Sequence, residues 1–285
     1  MTTLDTKSGI NTSLNKQETI DGNTEYPYQD LYDYIKKFNG KEEKILLSIV
    51  LPMYNEEKTI KTVLEKLPYK DSIEIIVVND HSTDSSLEEL EKVKLKSVIR
   101  VINHKRNRGY GGALLSGISH SKGNIIVTMD TDGQHSPDDI FSLVKPIFEG
   151  EVDYTIGSRY KGTYFYTLPI FTRLGEVLVE KLIQILFGIK ILNNQNGFRA
   201  FSRRILPIFE NTKYYGYAFC TEQLLKASLS GYRIKECPIK VFKREYGSSK
   251  IKLMKLARRI FSCLFYYYFR RIKLKMKKSK RTRTF

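Results

Sequence analysis

The most constraining feature of this sequence is a regular alternation of short β-branched runs and helical patterns that starts near residue 44. Strands are predicted for residues 45–51, 73–78, 97–102, 125–129 and 153–156, with helices between them at 56–67, 85–93, 111–120 and 137–148. Apolar strands that alternate with amphipathic helices are typical of parallel sheets covered on both faces. We therefore expect an α/β fold with a Rossmann-like, mostly parallel sheet.

Two carboxylates follow the fourth of these predicted strands. Asp130 and Asp132 are separated by one residue, and in an extended chain such side chains point to the same side. Mg²⁺ and Mn²⁺ are typically held by one or two carboxylates together with substrate phosphates. The pair therefore indicates a metal site, although acids that merely form a turn at a strand end would give the same local pattern.

Polar residues also follow three other predicted strands. They are Asn55 and Glu56 after the first, Asn79 and Asp80 after the second, and Asn103 after the third. In open α/β sheets, ligands bind outside the carboxyl ends of the strands. Four polar clusters at one sheet edge therefore predict a ligand site there.

Charge divides the chain into three parts. The net charge is +17, and residues 250–285 contain fourteen Lys or Arg and no acid. We predict a polar, partly disordered extension over 1–43, a catalytic domain over 44–250, and a basic tail over 251–285. Three widely spaced cysteines give no metal-ligand spacing and favour a cytoplasmic location with reduced thiols.

The basic tail has the pattern of an amphipathic helix. Polar residues recur every three or four positions at Lys252, Lys255, Arg259, Ser262 and Tyr266, with apolar and aromatic residues between them. Its uncharged segment, residues 260–269, is about half the length that a membrane span needs. We expect this helix to bind an anionic membrane surface peripherally, at the cytoplasmic face. The alternative is a helix packed on the domain.

Several segments are similar to motifs of glycosyltransferase family 2, in the usual order over roughly residues 46–250. They are Leu51–Glu57, Val78–Asp84, Asn107–Gly112, Asp130–His135, Gly157–Tyr160 and Asn196–Phe201. The last two resemble the subgroup that loads sugars onto dolichyl or other polyprenyl phosphates. The resemblance implies a GT-A-type fold, a nucleotide-diphosphate sugar donor and Mg²⁺ or Mn²⁺ as cofactor.

The resemblance also implies roles for residues at the donor site. The metal ligands would be Asp130, Asp132 and Gln134. The residues expected to contact the nucleotide sugar are Pro52, Tyr54, Glu56, Asp80, Gly111 and Asp130.

Catalysis and acceptor binding are expected to use a further set of residues. Asp132, Arg159 and Glu222 are the catalytic candidates, with Glu222 orienting the sugar unless it is an ordinary helix-face acid. The candidates for the acceptor phosphate are Arg159, Arg173, Asn196 and Arg199. Any of these arginines could instead form a structural ion pair. The sequence departs from the family pattern at His81, Asn193 and Asn196.

Three other functions compete with this interpretation. Gly109 and Gly111, with Asp130 about twenty residues on, imitate a dinucleotide-binding fingerprint, but the cluster follows the third strand and not the first. An RNA-binding protein would explain the basic tail and leave the strand-end acids unexplained, so no nucleic-acid partner is expected. A glycosyltransferase acting on a sugar hydroxyl would need a general base.

Overall fold

The computed structural model describes residues 28–39, 46–93, 99–244, 246 and 253–282. The disorder predicted for the first 25 residues lies outside these ranges. Within them, the chain forms a seven-stranded sheet with helices on both faces, as the sequence predicts.

The sheet has the strand order β3-β2-β1-β4-β6-β5-β7. Neighbouring strands are parallel except on the two sides of β6, which runs antiparallel to both β4 and β5. The strands are β1 Leu47–Met53, β2 Ile73–Asn79, β3 Ile99–Asn103, β4 Ile125–Thr128, β5 Tyr154–Tyr164, β6 Arg199–Ser202 and β7 Ile234–Val241. The first four lie within two residues of their predicted positions, and residues 97 and 98 of the third predicted strand lie outside the described ranges. For β1, β2 and β4 the agreement arises because continuous apolar runs mark strands buried on both faces.

Eight described helices cover the two faces of the sheet. They are α1 Gln29–Asn39, α2 Ile60–Glu65, α3 Ser86–Glu91, α4 Tyr110–His120, α5 Ile140–Phe148, α6 Ile170–Phe187, α7 Phe219–Leu229 and α8 Leu253–Thr282. One core cluster contains buried side chains of α1, α2, α3 and α5, and the other contains those of α4, α6, α7 and α8. The two clusters bury opposite faces of the sheet.

Helix α1 lies inside the segment that the sequence assigned to a polar extension. Its Leu31 and Ile35 are buried in the first core cluster. The ring of Phe38 stacks on Phe148 of α5, with ring centroids 5.1 Å apart. The catalytic body therefore includes α1, whose two buried positions, four residues apart, define a narrow apolar stripe.

Helix α8 packs against the domain along one side. Its buried residues are Ile260, Cys263, Leu264 and Tyr267, whereas Phe265 and Phe269 remain exposed. The polar positions predicted from the sequence, from Lys255 to Tyr266, are exposed as expected. Within the described ranges, no helix combines the length and the apolar character needed to cross a lipid bilayer.

The strand order places a ligand crevice at the ends of β1 and β4. Strand β1 pairs with β2 on one side and with β4 on the other, so the direction of chain winding changes there. Such a switch point leaves a crevice outside the carboxyl ends of the strands. The polar clusters that follow β1, β2 and β4 border this crevice.

Candidate active site

The two acids of the predicted metal motif follow β4 and lie beside the end of β1. Asp132 is buried, whereas Asp130 is partly exposed. Between them, the Thr131 hydroxyl donates to the carbonyl oxygen of Pro52 at 2.8 Å. Pro52 is a buried residue of β1, and its carbonyl oxygen contacts the loop that carries Asp130 and Asp132.

Asp130 lies in a tightly packed position. The Tyr110 hydroxyl donates to its Oδ1 at 2.8 Å, and His135 Nδ1 is 3.9 Å from its Oδ2. A Cβ atom on Gly197 would lie 2.6 Å from Oδ1, so only glycine allows this approach. Burial raises the pKa of Asp130, and the nearby Asp132 carboxylate adds to the rise, although His135 and Tyr110 oppose it.

Asp132 is paired with a cationic side chain that sequence reasoning missed. Its Oδ1 accepts the Gln134 backbone N–H at 3.1 Å, and its Oδ2 is bonded to the guanidinium of Arg244. Arg244 follows β7, and a search for polar residues beyond the end of that strand would have found it. The structure thus compensates the charge of Asp132 with a side chain of opposite sign.

Gln134 and His135, the last two residues of the predicted metal motif, make different contacts. The Gln134 carboxamide nitrogen donates to the Phe242 carbonyl at 3.1 Å, so one side of the amide is engaged with the segment after β7. The His135 ring packs 5.1 Å from Phe198, and its Nδ1 is buried without a hydrogen-bond partner. His135 was not among the predicted ligands, and Gln134 as a ligand stays a prediction.

The loop after β1 is bonded to the first residue of α3. The Glu56 backbone N–H donates to the Ser86 hydroxyl at 2.7 Å, and Tyr54 is 38% exposed beside it. Helix α2 begins at residue 60 and not at the predicted 56. Asn55 and His81 have positive φ angles of 56° and 66°, so His81 keeps the left-handed backbone that glycine would favour.

Asp80 holds the loop that leads into α4. Its carboxylate accepts the backbone N–H groups of Arg108 and Gly109, each at 2.8 Å. It also lies 2.6 Å from His104 Nδ1, and His104 Nε2 lies 2.8 Å from the Ser116 hydroxyl. In the structure, Asp80 therefore orders the third motif, and its predicted contact with the donor nucleotide stays a prediction.

Gly111 has a packing role in place of the expected donor contact. A Cβ atom there would lie 2.8 Å from the Cβ of Phe219, so glycine allows α4 to approach α7. Its backbone N–H donates to the carbonyl of Tyr215 at 2.7 Å, which leaves that group no free hydrogen for a phosphate.

A tyrosine from the neighbouring loop also borders the acid pair. The ring of Tyr217 stacks on Tyr110 with centroids 5.5 Å apart, and it is 39% exposed. Burial raises the pKa of Tyr217, and the charge of Asp130 raises it further. Tyr217 was not predicted as a site residue, because nothing in the local pattern around it indicates that it reaches the crevice.

Arg159 and Arg173, two of the predicted acceptor residues, belong to one cluster of ion pairs with Glu176 and Glu180. Arg159 Nη2 lies 2.5 Å from Glu176, and Arg173 Nη1 lies 2.5 Å from Glu180. The Arg173 guanidinium stacks on Tyr160 at 4.0 Å. The cluster joins β5 to α6 and leaves Arg173 partly exposed.

Arg199 lies outside this cluster, and its contacts contradict the predicted role in binding the acceptor phosphate. Its side chain is buried and donates to the carbonyl oxygens of Asn196, Asn194 and Cys220 and to the hydroxyl of Tyr154. With its guanidinium engaged by these four groups, Arg199 braces the end of β6 and cannot also bind an acceptor phosphate. A guanidinium removed from water needs hydrogen-bond acceptors within the protein for its N–H groups, and Arg199 has them.

Asn196, also predicted to contact the acceptor, has a local structural role. Its side-chain oxygen accepts the Phe198 N–H at 2.6 Å and so shapes the turn before β6. Asn193 is buried, and its N–H donates to Glu236 at 2.7 Å. Both departures from the family pattern therefore lie in a packed turn.

Arg199→Lys is expected to lower the free energy of unfolding by about 2–4 kcal/mol, because a single ammonium cannot reach all four acceptors and leaves buried oxygens unpaired. Urea unfolding followed by circular dichroism measures the change. Arg106→Lys, at an exposed position, is the matched control and should change stability by less than about 0.5 kcal/mol. Equal stability of both variants would contradict the brace.

Glu222, predicted as a catalytic residue, does not face the crevice. Its fully buried carboxylate accepts the backbone N–H groups of Lys213 and Tyr214 and the hydroxyl of Tyr267 on α8, at 2.7–3.1 Å. Direct contact with a sugar is excluded by these partners. The open alternative, a structural acid, is the better description.

The chemistry of the acid pair fits a divalent cation. Asp130 and Asp132 supply oxygen atoms, the donor type that Mg²⁺ and Mn²⁺ prefer. Asp132 already faces the positive guanidinium of Arg244, and His135 Nδ1, 3.9 Å from Asp130, has no hydrogen-bond partner. In the part of the chain that the structure describes, no three His, Cys, Asp or Glu side chains are grouped to hold a metal. A cation here would therefore complete its coordination with phosphate oxygens of a ligand.

Comparison with known proteins identifies the family of this chain. The family model described as glycosyl transferase family 2 matches residues 48–208, more than half of the sequence. This chain belongs to glycosyltransferase family 2. The family predicted from the motifs is therefore confirmed.

Two relatives within the glycosyltransferase family carry informative names. One is the UDP-N-acetylglucosamine–dolichyl-phosphate N-acetylglucosaminyltransferase of Methanococcus voltae, 32% identical over 72% of this chain and 89% of the relative. Another is a dolichol-phosphate mannosyltransferase of Pyrococcus furiosus, 28% identical over 72% of this chain and 59% of the relative. Both names describe polyprenyl-phosphate sugar transferases.

A solved structure confirms the fold of this glycosyltransferase. Glucosyl-3-phosphoglycerate synthase from Mycobacterium tuberculosis, in complex with Mn²⁺, UDP and phosphoglyceric acid, superposes with a TM-score of 0.61. The identity is 22%, and the match covers 78% of each chain. The similarity shows the predicted GT-A-type α/β architecture.

Proposed function

We propose that this glycosyltransferase moves a monosaccharide from a nucleotide-diphosphate sugar to dolichyl or another polyprenyl phosphate, with inversion and with a divalent cation. The observation that carries the proposal is the acid pair at the carboxyl end of β4, beside the switch point of the sheet. The names of the two relatives support the donor and acceptor classes.

Asp130 and Asp132 would hold Mg²⁺ or Mn²⁺, with the Gln134 carboxamide as a further ligand. When bound, the cation would supply positive charge next to the diphosphate as that group leaves. Tyr110 keeps Asp130 in place through its hydroxyl group. Arg244 is paired with Asp132 and would place a second positive charge near the same phosphates.

The proposed reaction is a single displacement. An acceptor phosphate oxygen forms the bond to the anomeric carbon, while the bond from that carbon to the diphosphate breaks and its electrons leave with the nucleotide. Because the acceptor phosphate is already anionic, no general base is needed. The structural role of Glu222 agrees with this scheme, since the reaction requires no further carboxylate.

Arg159 and Arg173 are the remaining acceptor candidates. Arg173 lines a groove of about 580 Å³ between the end of β5 and α6. The other lining residues are mostly aromatic or aliphatic: Tyr160, Tyr164, Tyr166, Thr167, Leu168, Ile170, Leu174 and Val177. A phosphate at the arginines would place the first isoprene units of its chain in this groove, in exchange for the ion pairs with Glu176 and Glu180.

Helix α6 exposes an apolar stripe next to the groove. Successive members are one, three, four and seven residues apart, are 51–87% exposed, and fall on one side of the helix: Ile170, Phe171, Leu174, Leu178 and Ile185. Helix α8 lies beside α6, where Arg271 donates to the Leu186 carbonyl. We propose that the stripe and the exposed basic and aromatic residues of α8 together contact an anionic membrane at its cytoplasmic face.

Replacing Phe171 and Leu178 with Glu is expected to weaken binding to liposomes that contain anionic lipid by at least about tenfold, because two apolar contacts are replaced by repelled charges. Co-sedimentation measures the affinity. Phe38→Glu makes the same change at an exposed position of α1, on the opposite side of the sheet, and should have little effect. Unchanged affinity in the double variant would contradict the proposed membrane surface.

The proposed activity is tested with a panel of nucleotide sugars, dolichyl phosphate and Mn²⁺, with mass spectrometry of the lipid products. We expect a glycolipid from one donor class and none when EDTA replaces Mn²⁺. A product formed only on a sugar hydroxyl, or turnover that survives EDTA, would contradict the proposal. The identity of the successful donor assigns the transferred sugar.

A further inference from the structure

Residues 212–217 form a loop, the α8-facing loop, that lies between α8 and the start of α4. On the side of α8, its Lys213 and Tyr214 backbone N–H groups donate to Glu222 at 3.0 and 2.9 Å. Tyr267 of α8 donates to the same carboxylate at 2.7 Å. Glu222 and Tyr267 are 0% and 1% exposed, so a single buried charge joins the loop to α8.

Side chains of the loop make two further contacts with α8. The hydroxyl groups of Tyr214 and Ser262 are 3.1 Å apart, and the Lys213 ammonium lies 4.5 Å from the centre of the Tyr266 ring. These contacts flank the Glu222–Tyr267 hydrogen bond. The conformation of the loop therefore depends on α8 at several neighbouring points.

The opposite side of the loop reaches the acid pair. The Tyr215 carbonyl accepts the backbone N–H groups of Gly111 and Gly112 at 2.7 and 3.3 Å and so completes the first turn of α4. Tyr217 stacks on Tyr110, whose hydroxyl donates to Asp130. Short contacts thus connect Tyr267 to a predicted metal ligand.

We infer that Glu222 and Tyr267 are positioning residues of the donor site: they hold the α8-facing loop so that Tyr217 and Tyr110 keep Asp130 ready for the cation. The inference rests on the proposed function for the role of Asp130. It also means that α8, the helix proposed to contact the membrane, holds the donor-site residues in a fixed position.

The expected consequence of breaking this link is local opening. Without the Tyr267 hydroxyl, the buried Glu222 carboxylate keeps only backbone donors from the loop itself, so the loop is no longer tied to α8 through that charge. The phenyl ring still fills its buried position, which preserves the packing of α8. Loops with few buried contacts open independently of the global fold, and that is where the change should appear.

Amide hydrogen exchange of the metal-free protein tests the link without any ligand. In Tyr267→Phe, the amides of Gly111 and Gly112 should exchange at least about tenfold faster than in the wild type. Tyr268→Phe, which removes the hydroxyl of a half-buried tyrosine at the next position of α8, should leave them unchanged. Ser262→Ala, at an exposed position, should accelerate them to a smaller degree and covers the case in which Tyr267→Phe fails to fold. Unchanged exchange at Gly111 and Gly112 in folded Tyr267→Phe, or in Ser262→Ala if that alone folds, would overturn the inference.

Mn²⁺ affinity, followed by electron paramagnetic resonance, then separates positioning from simple support of the fold. Tyr267→Phe should weaken Mn²⁺ binding by about tenfold, and the effect should disappear in a Tyr217→Leu background, because both changes act through the same contacts. Faster exchange with unchanged Mn²⁺ affinity would overturn the positioning role. Absence of Mn²⁺ binding by the wild type would count against the proposed function, while exchange at Gly111 and Gly112 would still decide the link to α8.

Discussion

Asp132→Asn is expected to reduce glycolipid formation by at least about 10³-fold, because it removes one of the two charges that would hold the cation beside the leaving diphosphate. Asparagine keeps the shape of the side chain, and its amide oxygen can still accept the Gln134 N–H at 3.1 Å. The fold should therefore persist. Single-turnover product formation at saturating Mn²⁺ measures the effect.

The matched control for this change is Asp71→Asn, an exposed acid in the turn before β2, far from the crevice. It should keep the turnover of the wild type. Thermal unfolding of both variants checks that the loss does not come from unfolding. If Asp132→Asn retained more than about a tenth of the wild-type turnover, the acid pair would not be the metal site of the reaction.

Gly197→Ala should strongly weaken metal-dependent donor binding although it adds only a methyl group. The new Cβ atom would lie 2.1 Å from the Tyr110 hydroxyl oxygen and 2.6 Å from Asp130 Oδ1, so both side chains must move. We expect at least about 100-fold weaker nucleotide binding and a loss of about 1–3 kcal/mol in stability, typical of overpacking. Isothermal titration calorimetry and urea unfolding give the two quantities.

The control for Gly197→Ala is Gly175→Ala in α6. A Cβ atom there meets no atom within 4 Å, and alanine favours a helix over glycine by about 0.5–1 kcal/mol, so this variant should gain stability and keep its donor affinity. Tyr110→Phe combined with Gly197→Ala removes the closest clash and should recover part of the affinity. Wild-type affinity in Gly197→Ala would contradict the geometry around Asp130.

The features that local sequence predicts well are those set by local periodicity. The apolar runs of β1, β2 and β4 are buried on both faces, so their positions follow from the residues alone. The acids beyond β4 follow from the same rule, since residues after parallel strands meet at one edge of the sheet. The resemblance to the family then gave these positions a chemical meaning.

The roles of Arg199 and Glu222 depended on contacts that no local pattern contains. Arg199 is bonded to Tyr154 and Cys220, which are 45 and 21 residues away along the chain. Glu222 is bonded to Tyr267, 45 residues further on. A buried charge and a catalytic charge look alike in sequence, because both are single polar residues in apolar surroundings, and only the partners distinguish them.

Helices α1 and α8, the first and last described helices, show the same limit. Periodicity indicates an apolar side on α8, but not whether protein or lipid covers it. The structure divides that side, since Ile260 and Leu264 are buried whereas Phe265 and Phe269 are exposed. In α1, Leu31 and Ile35 give too short an apolar pattern to predict docking onto the domain.

The central claim is that Asp130 and Asp132 hold a divalent cation that binds the diphosphate of the donor. Calorimetric titration of the purified protein with UDP and GDP, with Mn²⁺ and with EDTA, tests it most directly. The account predicts that at least one nucleotide binds about 100-fold more tightly with Mn²⁺, and that Asp132→Asn removes the difference. Equal affinities with Mn²⁺ and EDTA would contradict it.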